Sequence, residues 1–115
     1  MQGEKLAGSY LRKQGYRILE QNYRCRFGEI DLIAWDGNTM VFIEVKTRTT
    51  TDYGLPQEAV NREKQRRLSR LATYYLMSHN LTEVDCRFDV VAIILSENGN
   101  KVEVIKDAFP LQGGW

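Results

Sequence analysis

The sequence predicts an α/β sandwich in which a helix, three strands, a second helix and two further strands follow one another around a sheet. Three patterns carry this reading. Near the start, Leu6, Ala7, Tyr10 and Leu11 recur at helical spacing. Two runs rich in β-branched and aromatic residues, Ile30-Asp31-Leu32-Ile33-Ala34-Trp35 and Met40-Val41-Phe42-Ile43-Glu44-Val45-Lys46, flank the turn signal Asp36-Gly37-Asn38-Thr39 and so read as a β-hairpin. Further on, Val60, Leu68, Leu71, Ala72 and Tyr75 lie on one stripe of a long helix, and the apolar run 86–95 follows as a central strand.

Taken in order, the first helix covers residues 3–14, with Gly15 where a helix C-terminal glycine belongs. Residues 16–23 form the first strand, with Ile18 alternating against polar neighbours. Residues 24–27 form a basic loop whose arginines either contact phosphate or are simply solvated. After the hairpin comes a polar loop ending in Tyr53-Gly54, and Pro56 fits the first turn of the second helix, where its missing N–H costs nothing. That helix runs to about His79, which reads as a capping residue. The turn Glu97-Asn98-Gly99-Asn100 leads into an edge strand over 101–105. The tail from 108 to 115 is apolar at Phe109, Leu111 and Trp115, and either docks on the body or serves an oligomer contact.

A chain of 115 residues is expected to be one domain with a modest core. With 43% apolar and 27% charged residues the mixture is that of a soluble globular protein, and neither a membrane-length apolar window nor a signal-peptide pattern is present. A cytoplasmic location is expected. Cys25, Cys86 and the single His79 support neither a disulfide framework nor a zinc site, so a metal here would be held by oxygen. The net charge of +1 is uninformative, but residues 57–80 carry Arg62, Lys64, Arg66, Arg67 and Arg70 against Glu58 and Glu63.

The hairpin carries the chemistry. With Gly37-Asn38 or all four turn residues as its loop, Asp31 lies opposite Glu44 and Glu29 opposite Lys46. Strand alternation then puts Glu29, Asp31, Ile33 and Trp35 on one face with Met40, Phe42, Glu44 and Lys46. Ile30, Leu32, Ala34, Val41, Ile43 and Val45 form the other, wholly apolar face. Two opposed carboxylates destabilise a half-buried sheet unless one takes a proton or a cation lies between them. Mg²⁺ suits such a pair, since it accepts one or two carboxylates and keeps positions for water and phosphate. The alternative is an ordinary hairpin whose solvated face pairs Glu44 with Lys46 or a nearby arginine.

Asp31 followed by Glu44-Val45-Lys46 resembles the PD-(D/E)XK nuclease signature, with Ile30 where a Pro often precedes the Asp. The longer series is more specific: Gly15-Tyr16-Arg17-Ile18-Leu19, Asn22-Tyr23-Arg24, Gly28-Glu29-Ile30-Asp31-Leu32-Ile33-Ala34, Val41-Phe42-Ile43-Glu44-Val45-Lys46-Thr47-Arg48 and Arg87-Phe88-Asp89-Val90-Val91, in that order. Together these motifs resemble the YraN-like family of small bacterial proteins, across residues 4–104. The resemblance implies the restriction-endonuclease-like αβββαβ core, a mixed sheet flanked by helices, here with one added edge strand. It also implies a Mg²⁺- or Mn²⁺-dependent endonuclease similar to Holliday-junction resolvases. Asp31, Glu44 and Lys46 are then the catalytic candidates, and the metal would be held by Asp31, Glu44, the Val45 carbonyl and Glu4. Glu4 falls on the face of Ala7 and Leu11, and either completes that site or serves the helix dipole in the first turn. Glu29 and Gln65 are supporting candidates, Gln65 because related nucleases often use a Gln or Lys from this helix.

Arg62, Arg66 and Arg70 recur every fourth residue, with Arg67 beside them; together with Arg48 they are candidates for a DNA backbone contact, the alternative being a solvated helix face. Three functions therefore stand: a metal-dependent nuclease acting on branched or otherwise structured DNA, a nucleic-acid-binding module without turnover, and a protein-interaction domain. Paired cuts by so small a nuclease would require a homodimer. Arg87 and Asp89 read as structural, pairing with the hairpin.

Overall fold

The computed structural model describes residues 2–49 and 60–112. Its elements are α1 (Gln2–Lys13), β1 (Arg17–Cys25), β2 (Gly28–Asp36), β3 (Thr39–Thr49), α2 (Arg62–Ser78), β4 (Cys86–Leu95) and β5 (Lys101–Phe109). The strands form one mixed sheet in the order β1-β2-β3-β4-β5. Only β3 and β4 run parallel, because α2 carries the chain across between them; the other neighbours are antiparallel. The helices cover opposite faces, which is the αβββαβ arrangement with β5 added at the edge.

α1 ends in a 6→1 bond from Tyr16 N–H to Leu11 O (3.0 Å) around Gly15. Its stripe of Ala7 and Leu11 packs on Leu32, Ala34, Val41, Ile43, Val91 and Ile93. On the other face, Leu68, Leu71, Ala72 and Tyr75 of α2 pack on Ile33, Met40, Phe42, Phe88 and Val90. Both faces of β2 and β3 are thus buried, which explains why Ile33 and Phe42 share a face with charges. Ile30 departs from the simple alternation: it joins the α2 side, whereas Leu32 lies on the α1 side. The strand loses its period at Asp31.

Three boundaries differ from the sequence expectation. β1 continues through Arg24 and Cys25, since an edge strand tolerates polar residues on its exposed face, leaving only Arg26 and Phe27 as the loop. α2 begins at Arg62 rather than near 57, because the side chain of Asn61 caps it by accepting from Lys64 N–H at 2.8 Å. Pro56 lies outside the described residues. β5 runs on to Phe109, across an irregularity where Asp107 adopts φ +53° and its N–H donates to Asp89. Phe109 stacks on Phe88 (4.7 Å between centroids), and the following chain docks on α2 through Gln112 N–H to Ser69 Oγ (2.8 Å).

Away from the hairpin's charged end, Asp89 is fully buried but fully served. It accepts from Tyr16 Oη, from Arg87 through two bonds and from Asp107 N–H. Arg87 also donates to Asp36 at 2.6 Å, tying β4 to the hairpin turn and holding the Asp36 carboxyl below its usual range. No helix among the described residues is long and apolar enough to cross a membrane.

Candidate functional site

β3 is paired with β4 as far as Thr49–Leu95, but its ladder with β2 ends at Leu32–Ile43. The hairpin register is the expected one, yet it stops one residue short of Asp31 and Glu44. In place of a backbone partner, Val45 N–H donates to Asp31 Oδ2 at 2.8 Å. The gap between the strands opens a cleft of about 460 Å³ lined by Glu29, Asp31, Glu44, Val45 and Lys46, with Gly28, Lys64 and Arg67 forming its far wall. A smaller hollow of about 190 Å³, lined by Gly3, Glu4 and Thr47, lies against the same Asp31 and Val45.

Close approach of α1 brings Glu4 to this point. A Cβ on Gly3 would lie 2.9 Å from Thr47 Oγ1, so glycine lets the helix start press against β3. Glu4 is only 3% exposed. Carboxylate oxygens of Glu4, Glu29 and Asp31 all lie within 4.8 Å of one another. The side-chain amide of Asn22, itself at φ +52°, ends 2.6 Å from Glu4 Oε1 and 3.1 Å from Glu29 Oε1, two acceptors that assign its nitrogen to that end as the donor, and Arg24 reaches Glu29 at 3.2 Å. Burial first, and then the neighbouring Glu44 and Glu4, push the Asp31 pKa up to about 8, against the lowering effect of the Val45 N–H. A neutral-pH solution with no cation therefore leaves a proton on this cluster.

Glu44 is 6% exposed and has its own cations: Lys64 forms an ion pair with it, and Lys46 Nζ lies 3.6 Å from its Oε2. The structure thus brings together Glu4, Glu29, Asp31, Glu44, Val45 and Lys46. Gln65 is turned elsewhere, donating to Val60 O (2.9 Å) and accepting from Gln112. Of the arginine candidates, Arg67 lines the cleft; Arg62, Arg66 and Arg70 are exposed along α2, and Arg48 is half-buried beside Ile94.

Asn22 is not a candidate from the sequence, Arg24 is read there as a loop arginine that contacts phosphate or is solvated, and Lys64 only as beginning, with Gln65, the turn nearest the loop after Glu44-Val45-Lys46. Lys64 had a readable signal, because it stands one turn before Leu68 and two before Leu71 on the buried stripe, where a lysine needs an anion. Asn22 and Arg24 had none, since their contacts depend on how β1 meets β2.

A family model described as "Uncharacterised protein family UPF0102" matches residues 3–93. A UPF0102 protein of Syntrophus aciditrophicus (strain SB) is 56% identical over 112 residues, covering 97% of this chain and 88% of the relative. A UPF0102 protein of Moorella thermoacetica is 54% identical over 109 residues (93% and 91%), and one of Geobacter sulfurreducens is 49% identical over 112 residues (96% and 88%). With the family's model spanning most of its length and relatives of this similarity on either side of half identity, the chain belongs to the UPF0102, or YraN, family.

Proposed function

We propose that the protein is a Mg²⁺-dependent endonuclease that hydrolyses phosphodiester bonds in DNA, with branched or otherwise structured DNA as the first form to test. The observation that carries this reading is the convergence of Glu4, Glu29 and Asp31 beside a cleft whose other wall is cationic. Oxygens of three carboxylates within 4.8 Å of one another, with the Asp31 pKa pushed up to about 8, make a set that a shared cation would suit, and an all-oxygen set suits Mg²⁺ or Mn²⁺. Glu4, Glu29 and Asp31 would hold the ion, with Glu44 and the Val45 carbonyl as further oxygens.

Bound there, the ion supplies polarisation of a phosphate oxygen and acidifies water. Lys46 would hold a positive charge beside the non-bridging phosphate oxygens, where negative charge builds as the water oxygen bonds to phosphorus and gives its proton to solvent while the bond to the sugar oxygen breaks and that oxygen takes a proton from solvent. Lys64 anchors Glu44, and Arg67 orients the phosphodiester from the opposite wall. Arg62, Arg66 and Arg70 extend the positive surface along α2 for the backbone. One such site cuts one strand per visit, so paired cuts would use a homodimer.

The test compares wild type with Lys46→Ala on linear duplex, single-stranded, flap and four-way-junction DNA with Mg²⁺ or Mn²⁺. Wild type should cleave, and Lys46→Ala should bind as well but cleave roughly 10²- to 10⁴-fold more slowly. No cleavage of any substrate, or equal cleavage by both proteins, turns the reading to the second one: a nucleic-acid-binding module without turnover. Neutralisation of Glu44 by Lys64 and Lys46, which leaves that carboxylate no need of a metal, is the observation that favours it.

A further inference from the structure

The turn between β1 and β2 carries a feature that cleavage does not use. The Phe27 ring meets Tyr74 of α2 edge-on at 5.4 Å between centroids. Two guanidinium groups lie over the same ring, that of Arg26 at 5.0 Å and that of Arg70 at 5.9 Å from its centroid. Tyr74 is 37% exposed, and Arg26 and Arg70 are exposed as well. The patch is continuous with the cleft: a Cβ on Gly28, next to Phe27, would lie 3.6 Å from Arg67 Cδ, and both residues line the cleft wall. Among the described residues no ion pair joins Arg26, Arg66, Arg67 or Arg70 to a carboxylate.

We infer that Phe27, Tyr74, Arg26 and Arg70 form a stacking platform for an unpaired nucleotide adjacent to the phosphate in the cleft, so that the protein selects single-stranded segments over continuous duplex. The inference rests on the reading that the cleft takes a phosphodiester. The exposed Tyr74 ring and the guanidinium planes of Arg26 and Arg70 that lie over Phe27 present π-faces that an unstacked base can cover, whereas the bases of a duplex already cover each other. Two arginines over Phe27 without a carboxylate partner among the described residues, with Arg67 at the adjoining cleft wall, match a polyanion that carries bases; they match an apolar protein surface poorly, since its binding would bury those charges.

Binding is measured by fluorescence anisotropy in EDTA, where no metal-dependent cleavage occurs, with oligothymidylate, oligouridylate and a duplex of equal length. Wild type should prefer the single strands, and the tighter of the two identifies DNA or RNA as the source of the nucleotide. Tyr74→Leu, at an exposed position, and Phe27→Leu, which keeps apolar bulk at a half-buried one, should each weaken single-strand binding by roughly 5- to 20-fold and change duplex binding little; that is about 1 to 2 kcal/mol at 1.4 kcal/mol per tenfold. Arg66→Ala should weaken both alike. An oligothymidylate carrying 2-aminopurine should lose fluorescence on wild type but not on the Tyr74→Leu protein, whose melting temperature is checked alongside. Equal wild-type affinity for duplex and single strand, equal losses on both, or no quenching overturns the platform. None of these outcomes bears on cleavage, and absent cleavage with intact stacking refutes only the nuclease reading.

Discussion

Replacing Asp31 by Asn should make the metal-free protein more stable. The carboxylate pKa is 3.8 in a free chain and is pushed to about 8 in the fold by burial, Glu44 and Glu4. Because the folded value lies above the unfolded one, the native state keeps a proton that the unfolded chain releases. The stability this group carries is therefore complete below about pH 4 and is lost progressively as pH rises toward 8. Near pH 7.5 the ceiling on that loss is about 5 kcal/mol, at 1.36 kcal/mol per pKa unit. Asp31 borders a solvent-filled cleft, so screening reduces it to roughly 1–2 kcal/mol. An amide still offers an oxygen to Val45 N–H and gives Glu4 or Glu44 a donor, so the bond at 2.8 Å survives. For a domain of this size the gain corresponds to roughly 3–10 °C in melting temperature. Melting curves of both proteins in EDTA between pH 4 and 8.5 read the effect directly. The Asp31→Asn advantage should be absent near pH 4, grow through neutrality and level off above 8. Millimolar Mn²⁺ should then raise wild type but not the variant, by mass action. An advantage independent of pH, or a wild type that is the more stable protein at pH 8 without metal, would refute the reasoning.

Lys64→Met removes one of two cations from a nearly buried Glu44 and should lower stability by about 1–2 kcal/mol in urea titrations, less than a fully buried pair because Lys46 remains. Arg87→Met strands the fully buried Asp89 and frees the hairpin turn at Asp36; a loss of about 3–5 kcal/mol is expected, and a midpoint shift of under half of that would show the network to be dispensable. Arg66→Ala combined with Arg70→Ala should reduce duplex affinity by similar factors on unrelated sequences and flatten the log–log salt slope by roughly 0.9 per lost phosphate contact; an unchanged slope would make the row a solvated face.

The order of elements was readable because each leaves its own period: Ala7 and Leu11 at helical spacing, Ile33 with Phe42 across a short turn, Leu68, Leu71, Ala72 and Tyr75 down one stripe. Register followed from the turn, since a two-residue loop at Gly37-Asn38 leaves no freedom in which residues of β2 and β3 meet. What strand alternation missed was the break at Asp31. Period-two reasoning carries Ile30 to the face of Leu32, but the chain there leaves β3, keeps β1, and turns Ile30 toward α2. Boundaries also depended on contacts that no local pattern holds, such as the Asn61 cap, which starts α2 five residues late, or Asp107 reaching Asp89, which carries β5 past its expected end. Gln65 was the reasonable helix candidate by analogy, yet Lys64 lies on the apolar stripe and so meets Glu44, while Gln65 closes the helix start onto Val60.

The break at Asp31 also decides what kind of residue that position needs. Beyond Ile43, β3 has lost β2 on one edge, and the Val45 N–H there would cost about 1–3 kcal/mol if left without an acceptor. A side chain with one oxygen suffices for that, and Asp31 supplies it. An amide would supply it equally well and would relieve the repulsion from Glu4, Glu29 and Glu44, so folding alone favours Asn over Asp at this position. A carboxylate is the better choice only when something positive shares the cleft. Lys46 and Lys64 are engaged with Glu44, and Arg24 with Glu29. Among the described residues no ion pair joins Asp31 to a lysine or arginine, and on the proposed reading a divalent ion is the partner that makes its charge favourable. On the proposed reading, a pH-dependent penalty in EDTA and its removal by Mn²⁺ would be two measurements of one property: a local cost borne to keep an ionisable oxygen where a divalent ion can take it.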